Sequence, residues 1–85
     1  SGEGATVCLH RLSPNNEQMP HSHPNEQIVY IISGVVDFHV GEEVHRLAAG
    51  ELIAIPPDIQ HYAVVVGDEV SINMDIFTPR RPEYA

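Results

Sequence analysis

The sequence predicts an all-β domain of the sandwich or barrel type. Its apolar runs are short and rich in Val and Ile, and turn residues interrupt them about every 8 to 12 positions. No apolar pattern is long enough for a helix of ordinary length. At 85 residues the chain fills one small domain, because a second hydrophobic core would lack the residues to build it. We therefore expect a single antiparallel β domain with a thin core.

Each predicted strand is a short run bounded by residues that favour turns. The separating segments contain proline, glycine, asparagine or aspartate, which supply the fixed or positive φ angles that turns need. We expect residues 1–85 to form one domain and residues 78–85, which include two prolines, to run over the surface as a tail. The eight predicted strands are Ala5–Leu12, Gln18–His23, Gln27–Ser33, Val35–Val40, Glu43–Leu47, Glu51–Ile55, His61–Val66 and Glu69–Phe77.

The predicted strand Gln27–Ser33 is apolar on both of its faces. Alternation places Val29 and Ile31 on one face. The opposite face carries Ile28 and Tyr30. A strand that is apolar on both sides, in so small a domain, needs cover from outside its own core, and a second copy of the chain is the usual source. We expect a homodimer.

The charge balance excludes two classes of partner. Four basic residues against twelve acidic ones give a formal net charge of −8, which repels nucleic acid phosphates and anionic membrane surfaces. The single cysteine, Cys8, has no partner within the chain for a disulfide, and no basic region followed by an apolar run opens the sequence. We expect a cytoplasmic protein that binds no nucleic acid and no membrane.

Four side chains are candidate ligands of a metal ion. His21 and His23 occupy positions i and i+2, on one face of a predicted strand, and Gln27 keeps the same alternation. If His61 points into the same interior, three imidazole nitrogens and one amide oxygen converge, a set that suits Mn, Fe, Co, Ni, Cu or Zn. Glu26 is a rival oxygen ligand whose alternation points away from the histidines. A neutral glutamine leaves the site one charge more positive than a carboxylate would, which favours a small anionic ligand.

The spacing of these residues resembles the two-part signature of the cupin superfamily. Residues 20–27 read PHSHPNEQ, and six further residues separate them from Gly34. The second part consists of Gly50, five residues, Pro56 and, later, His61. The resemblance implies a double-sheet antiparallel jelly roll, or cupin barrel, with one divalent transition metal inside and with an N-terminal strand of the fold missing. The sequence departs from the signature at Gln27, where the family has glutamate, and at Asp58, where it has glycine. The second departure requires only a turn that tolerates a residue other than glycine.

The closing segment resembles a narrower group. Residues 75–81, DIFTPRR, are similar to the final motif of the KdgF group of pectin-degradation cupins, which also carry glutamine at the fourth ligand position. This resemblance implies a metal-dependent, isomerase-like opening of cyclic 4,5-unsaturated monouronates, released from pectin or alginate, to the linear keto form. It assigns proton transfer to Asp75, binding of the substrate carboxylate to Arg81, and a wall of the pocket to Phe77.

Several alternatives stay open. The segment 75–81 is also compatible with an ordinary last strand, and the same cavity suits a non-catalytic module that binds or senses a sugar acid. A metal-dependent dioxygenase is a third possibility, because a redox metal with open positions serves that chemistry as well. Cys8 is expected to be a small core residue, since the sequence shows no histidine placed to activate it. Solvated or structural roles are expected of His10, His39 and His45.

Overall fold

The computed structural model describes residues 4–16 and 18–79, and this part of the chain folds into seven β-strands without a helix. It therefore contains no helix that could cross a membrane. The bounds of the predicted strands agree with the structure to within about two residues, apart from one strand that is absent. The strands are β1 (Thr6–Leu12), β2 (Glu26–Ser33), β3 (Val35–Val40), β4 (Glu43–Ala48), β5 (Leu52–Ile55), β6 (His61–Val65) and β7 (Ser71–Thr78).

The strands form two antiparallel sheets that pack face to face. One sheet has four strands in the order β1-β7-β2-β5, and the other has three in the order β4-β3-β6. Every strand pair is antiparallel. The predicted all-β class and the double-sheet antiparallel arrangement are confirmed. The core between the sheets consists of alternate apolar residues from both of them: Val29, Ile31, Val36, Phe38, Val40, Leu47 and Ile55.

Two turn positions depend on an unusual backbone conformation. Gly34 has a φ of 86°, and a Cβ at this position would lie 2.8 Å from the Cα of Ser71, so both the angle and the space require glycine. Asp58, which replaces the glycine of the second cupin motif, has a φ of 64°. The turn does tolerate aspartate there, as the sequence reasoning required, because a short polar side chain is among the few that adopt the left-handed conformation.

The predicted strand Gln18–His23 is wrong. Among the described residues of this segment only His21 pairs with another chain segment, in an isolated antiparallel bridge to His61. The two backbone bonds of this bridge measure 3.1 and 2.8 Å. Pro20 lies within the segment and Pro24 directly follows it, and neither has an N–H to give to a ladder, so a continuous strand does not form. The two histidines therefore lie in a loop beside the edge of β6.

A side chain completes the attachment of this loop to β6. The Asn16 amide donates to the carbonyl of Ala63 at 2.8 Å, and its oxygen accepts the N–H of Val65 at 3.0 Å. Asn16 thus satisfies one donor and one acceptor of the strand edge, as a neighbouring strand would. The loop that carries His21 and His23 is held against the strand that begins with His61.

The chain end falls partly outside the described residues. Strand β7 ends at Thr78, one residue beyond the predicted bound, and residues 80–85 of the predicted tail lie outside the part of the chain that the structure describes. The same holds for Arg81.

Candidate metal centre

Three histidines meet at one end of the space between the sheets. His21 and His23 come from the loop before β2, and His61 is the first residue of β6. One ring nitrogen from each lies within 4.8 Å of the other two. His23 and His61 are 7% and 3% exposed, whereas His21 is exposed at the mouth of the site. The His21 and His61 rings are 4.3 Å apart between centroids, and the His23 and His61 rings are 4.9 Å apart.

Backbone carbonyls fix the tautomer of all three rings. Each Nδ1 lies 2.9 Å from a carbonyl oxygen two residues away and donates its N–H to it. The second nitrogen of each neutral ring, Nε2, then carries the lone pair that a metal ion requires. Nε2 of His61 is buried and has no hydrogen-bond partner among the described residues. The three accepting carbonyls belong to Met19, Asn25 and Ile59.

Loop contacts hold His23 in place. The backbone N–H of Asp58, in the turn before β6, donates to the carbonyl of His23 at 2.8 Å. The side chain of Asn25, which is 8% exposed, donates to the carbonyl of Pro79 at 2.5 Å, and the backbone carbonyl of Asn25 accepts the His23 ring proton. The ring is therefore oriented by both the turn before β6 and the segment after β7. Such outer partners raise the basicity of a ligating imidazole and limit its rotation.

Gln27 approaches the same point from the start of β2, where it is the second residue of the strand. Its side-chain oxygen lies 3.0 Å from Nε2 of His23. His23 donates its Nδ1 proton to the backbone carbonyl of Asn25, so its Nε2 carries a lone pair. In this orientation of the Gln27 amide, that lone pair faces the lone pairs of the amide oxygen. A cation bound to both atoms removes the repulsion. Gln27 is 6% exposed, whereas its neighbour Glu26 is exposed. The amide, and not the carboxylate, faces the histidines.

Burial keeps His61 neutral. Desolvation lowers the pKa of His61 below its ordinary value of 6.5, and the neighbouring His21 and His23 act in the same direction. The hydrogen bond to Ile59 opposes this shift but does not cancel it. A neutral imidazole is the form that binds a metal, so His61 needs no proton release at neutral pH. Three neutral nitrogens and one amide oxygen fit a divalent ion of the Mn to Zn series, and His21, His23 and His61 form a candidate metal centre.

A cavity of about 310 Å³ opens beside this centre, between the two sheets. Phe77 is 3% exposed, and its ring lies 5.5 Å from that of His23. Asp75, two residues earlier on the same face of β7, is 2% exposed. The cavity is lined by side chains from both sheets and from the loop, among them His10, His21, Gln27, His61, Asp75 and Phe77.

Sequence reasoning missed His10 as part of this cavity. Its Nδ1 lies 2.5 Å from a carboxylate oxygen of Asp75, and Asn73 donates to the other oxygen at 2.7 Å. The hydrogen bond to Asp75 raises the pKa of His10 above its ordinary value of 6.5. In the sequence, His10 and Asp75 each fall on the face of their strand that alternation assigns to the interior. This places them together only once β1 is known to pair with β7, with His10 opposite Asn73.

We expect His61 and His10 to shift the stability of the metal-free protein in opposite directions. As the pH falls below about 6.5, the unfolded chain takes up a proton at His61 before the folded one does, which destabilises the fold. The contribution of His10 is present below about 6.5 and is lost as the pH rises through its raised folded pKa. His10→Gln removes only this second effect, so its urea midpoint should fall further than that of the wild type between pH 7 and pH 5. Identical declines would contradict the opposed shifts.

The comparisons with known proteins agree on one protein family. The sequence profile of the Cupin_2 family, described as a cupin domain, matches residues 8–77. Among solved structures, KdgF from Halomonas sp. superposes with a TM-score of 0.88 at 25% identity, covering 99% of this chain and 78% of that one. An RmlC-like cupin from Shewanella frigidimarina also has a TM-score of 0.88, at 24% identity, with coverage of 100% and 75%.

A curated relative with sequence similarity to this chain is a dioxygenase. Acireductone dioxygenase of Bacillus pumilus is 30% identical over 82 aligned positions, which span 84% of this chain. The chain covers 47% of the length of that relative. The similarity therefore concerns one part of the dioxygenase.

Proposed function

The chain belongs to the cupin domain family, and we propose that it is a metal-dependent cupin that opens cyclic 4,5-unsaturated monouronates to their linear keto form. The observation that supports a reaction, beyond metal binding alone, is the buried carboxylate of Asp75, which lines one cavity together with the candidate metal ligands His21 and His61. The similarity to KdgF of Halomonas sp. supports the choice of substrate class.

In this proposal His21, His23, Gln27 and His61 hold the metal. A divalent ion there would polarise oxygen atoms of the substrate and attract its negative charge. The protein's own contribution is to fix the rings through backbone carbonyls, so that the ligand nitrogens converge without reorganisation. The protein charge of −8 does not prevent binding of a small acid, because salt screens exposed charges within about 10 Å.

Ring opening requires two proton movements. One proton leaves the anomeric hydroxyl as its carbonyl forms and the bond between the anomeric carbon and the ring oxygen breaks, and another proton is delivered to the carbon of the resulting enol, which gives the ketone. Asp75 is the proposed proton-transfer group, because its carboxylate lines the cavity and contacts the imidazole of His10, which can share the proton. Phe77 is proposed to form the wall against which the sugar ring lies, since it is buried beside His23.

Arg81 is proposed to bind the substrate carboxylate with its planar, bidentate guanidinium group. We expect Arg81→Ala to raise KM for an unsaturated uronate with little change in kcat, lowering kcat/KM by about 10- to 150-fold through the loss of a charge-assisted contact. Steady-state kinetics measure this. Arg46→Ala is the matched control, because Arg46 lies on β4 and pairs with Asp37 away from the cavity. An unchanged KM for Arg81→Ala would remove Arg81 from the site.

A direct assay tests the proposed reaction. Metal-loaded protein is incubated with 4,5-unsaturated galacturonate, and the loss of the ultraviolet absorbance of its conjugated carbon–carbon double bond is followed, with the spontaneous rate subtracted. The proposal predicts acceleration that disappears with a chelator and returns with added metal. Binding of the uronate without acceleration, measured by calorimetry, would instead support the alternative of a non-catalytic binding or sensing module.

A metal-dependent dioxygenase is a second candidate function. The similarity to acireductone dioxygenase of Bacillus pumilus supports it, as does a set of three histidines. Redox chemistry requires a metal such as Fe, Mn, Ni or Cu, whereas ring opening transfers no electrons and is therefore compatible with redox-inactive Zn. Oxygen uptake with an acireductone as substrate, together with activity confined to redox-active metals, would favour the dioxygenase over the uronate reaction.

The outer face of the four-stranded sheet is proposed to be a dimer interface. The register aligns apolar side chains across the strands, in rows such as Leu9, Met74, Tyr30 and Leu52. Leu9 and Leu52 are 64% and 61% exposed. A second copy of the chain suits this face, because its side chains are mostly apolar and its acidic residue among the four strands, Glu26, lies at one end of β2, whereas the whole protein carries a charge of −8.

We expect the protein to sediment as a homodimer at micromolar concentration, and Leu9→Glu and Leu52→Glu to shift it towards the monomer by placing a charge in the apolar interface. Val44→Glu is the matched control, since Val44 is a 55% exposed apolar residue on the other sheet. A wild-type monomer, or an equal effect of all three substitutions, would contradict an interface on the four-stranded sheet.

We also propose a cytoplasmic location without nucleic acid or membrane partners. The acidic charge supports the second part, because it opposes binding to phosphate-rich surfaces. The chain has one cysteine and so cannot form an internal disulfide, which is the means by which an oxidising compartment would stabilise it. Fractionation of the source cells, with detection by antibody, tests the location.

A further inference from the structure

Cys8, His10 and Asp75 form a second cluster, which none of the proposed metal ligands joins. The sulfur of Cys8 lies 3.6 Å from Nε2 of His10, and Nδ1 of His10 lies 2.5 Å from the carboxylate of Asp75. The three residues face the interior from the paired strands β1 and β7, with Cys8 directly opposite Asp75. The order thiol, imidazole, carboxylate is that of an activated nucleophile, its base and the group that orients the base.

The contacts determine where the protons lie. An ionised Asp75 accepts the Nδ1–H of His10, which leaves Nε2 as the acceptor for the thiol proton of Cys8. Once the proton has moved to His10, the imidazolium lies between two negative groups and is stabilised by both. Asp75 itself is held by Asn73, which donates to its other carboxylate oxygen at 2.7 Å. The expectation that no histidine is placed near Cys8 is therefore wrong, and Cys8 is partly exposed.

Two observations indicate that the cluster is open to a ligand. Cys8 is partly exposed and the His10 side chain is 41% exposed, so a small molecule can reach both. Asn73, which lines the cavity together with His10 and Asp75, is 2% exposed, and its side-chain oxygen has no hydrogen-bond partner among the described residues. A buried acceptor of this kind favours a hydroxyl-bearing molecule or water at this wall of the cavity.

We propose that Cys8 is a reactive thiolate that small hydroperoxides oxidise to a sulfenic acid, with His10 as its base and Asp75 as the residue that positions His10. This proposal requires neither the uronate reaction nor the metal, although it shares Asp75 with the proposed ring opening. Thiolates next to an imidazolium are more reactive towards soft electrophiles at neutral pH than free cysteine.

The step is balanced. The thiolate sulfur attacks one peroxide oxygen, so that the S–O bond forms as the O–O bond breaks. Sulfur is oxidised to the sulfenic acid, and the hydroperoxide is reduced to an alkoxide or hydroxide ion. This leaving group takes the proton that His10 received from Cys8, giving an alcohol or water and returning the imidazole to its neutral form.

The test begins with the pH profile of the thiol. Full-length protein is alkylated with iodoacetamide from pH 5 to pH 10, and the unfolded protein in urea serves as the reference. We expect the midpoint of the native profile to lie below the value of about 8.5 of a free thiol, with alkylation at pH 7 about tenfold faster than in the unfolded chain. The titratable groups that face the pair are Asp75 from β7 and, across the cavity, His21 and His61.

Variants then assign the roles. His10→Gln and Asp75→Asn should each return the midpoint towards about 8.5, whereas His45→Gln, at an exposed histidine bonded to Glu43, should leave it unchanged. With hydrogen peroxide as the probe, a dimedone adduct should appear on the wild type and be absent from Cys8→Ser.

The wild type alone is sufficient to reject the proposal. A native midpoint at the free-thiol value, or alkylation slower than in urea, would overturn it even if no variant folds. A lowered midpoint that is the same in His10→Gln would overturn the assignment of His10 as the base.

Discussion

Replacing His23 with alanine is expected to lower the affinity for a divalent metal by about 100-fold or more. The ring is held in a fixed position, because the backbone carbonyl of Asn25 accepts its Nδ1 proton and the Asp58 N–H donates to the His23 backbone carbonyl. The loss of an outer partner of a metal ligand already costs about 10- to 100-fold in affinity, so the loss of the ligand itself should exceed that range.

Inductively coupled plasma mass spectrometry measures the metal content after dialysis. Titration calorimetry with Zn or Ni measures the affinity. His45→Ala serves as the control, since His45 is 43% exposed on β4 and bonded to Glu43. Unfolding of His23→Ala would be detected by circular dichroism, and Gln27→Ala then provides a milder variant, for which a smaller loss of affinity is expected. Equal metal retention in His23→Ala and His45→Ala would refute a site built on the three histidines.

Replacing Asp75 with asparagine should lower kcat for the ring opening of an unsaturated uronate by about 100- to 10,000-fold, the usual contribution of general acid–base catalysis. Asparagine has nearly the same shape, so the contact with Asn73 and the packing of β7 can persist while the capacity to exchange a proton is lost. Because Asp75 is not part of the group formed by His21, His23 and His61, the metal content of that centre should stay at the wild-type level.

Steady-state rates, metal content and the thermal midpoint are measured on the same preparations. Asp37→Asn is the matched control, because Asp37 lies on β3 in the other sheet and pairs with Arg46 away from the cavity. If Asp75→Asn retains wild-type turnover with its metal in place, Asp75 is not the proton-transfer group and the ring-opening proposal loses its chemical basis.

Local pattern was a reliable guide wherever a strand has one buried face. The bounds of Val35–Val40 were predicted to the residue, because its alternating side chains and flanking turn residues impose a period of two. The same pattern was misleading at Gln18–His23. The histidines there alternate as they would on a strand, but two prolines remove the donors that a ladder needs, and the segment is held as a loop by Asn16 and by a single bridge at His21.

The sequence by itself determined the family, the class of fold and the four candidate metal ligands, because the motif spacing and the alternation of side chains are properties of the chain. Only the tertiary structure decided which side chains share a cavity. The pairing of β1 with β7 places Cys8 opposite Asp75 and brings His10 into contact with that carboxylate, across more than 60 intervening residues. No local period encodes such a contact, since the pairing of distant strands depends on how the whole core packs. For this reason the sequence predicts only a solvated or structural role for His10, whereas in the structure His10 contacts both the thiol of Cys8 and the carboxylate of Asp75, which lines the cavity.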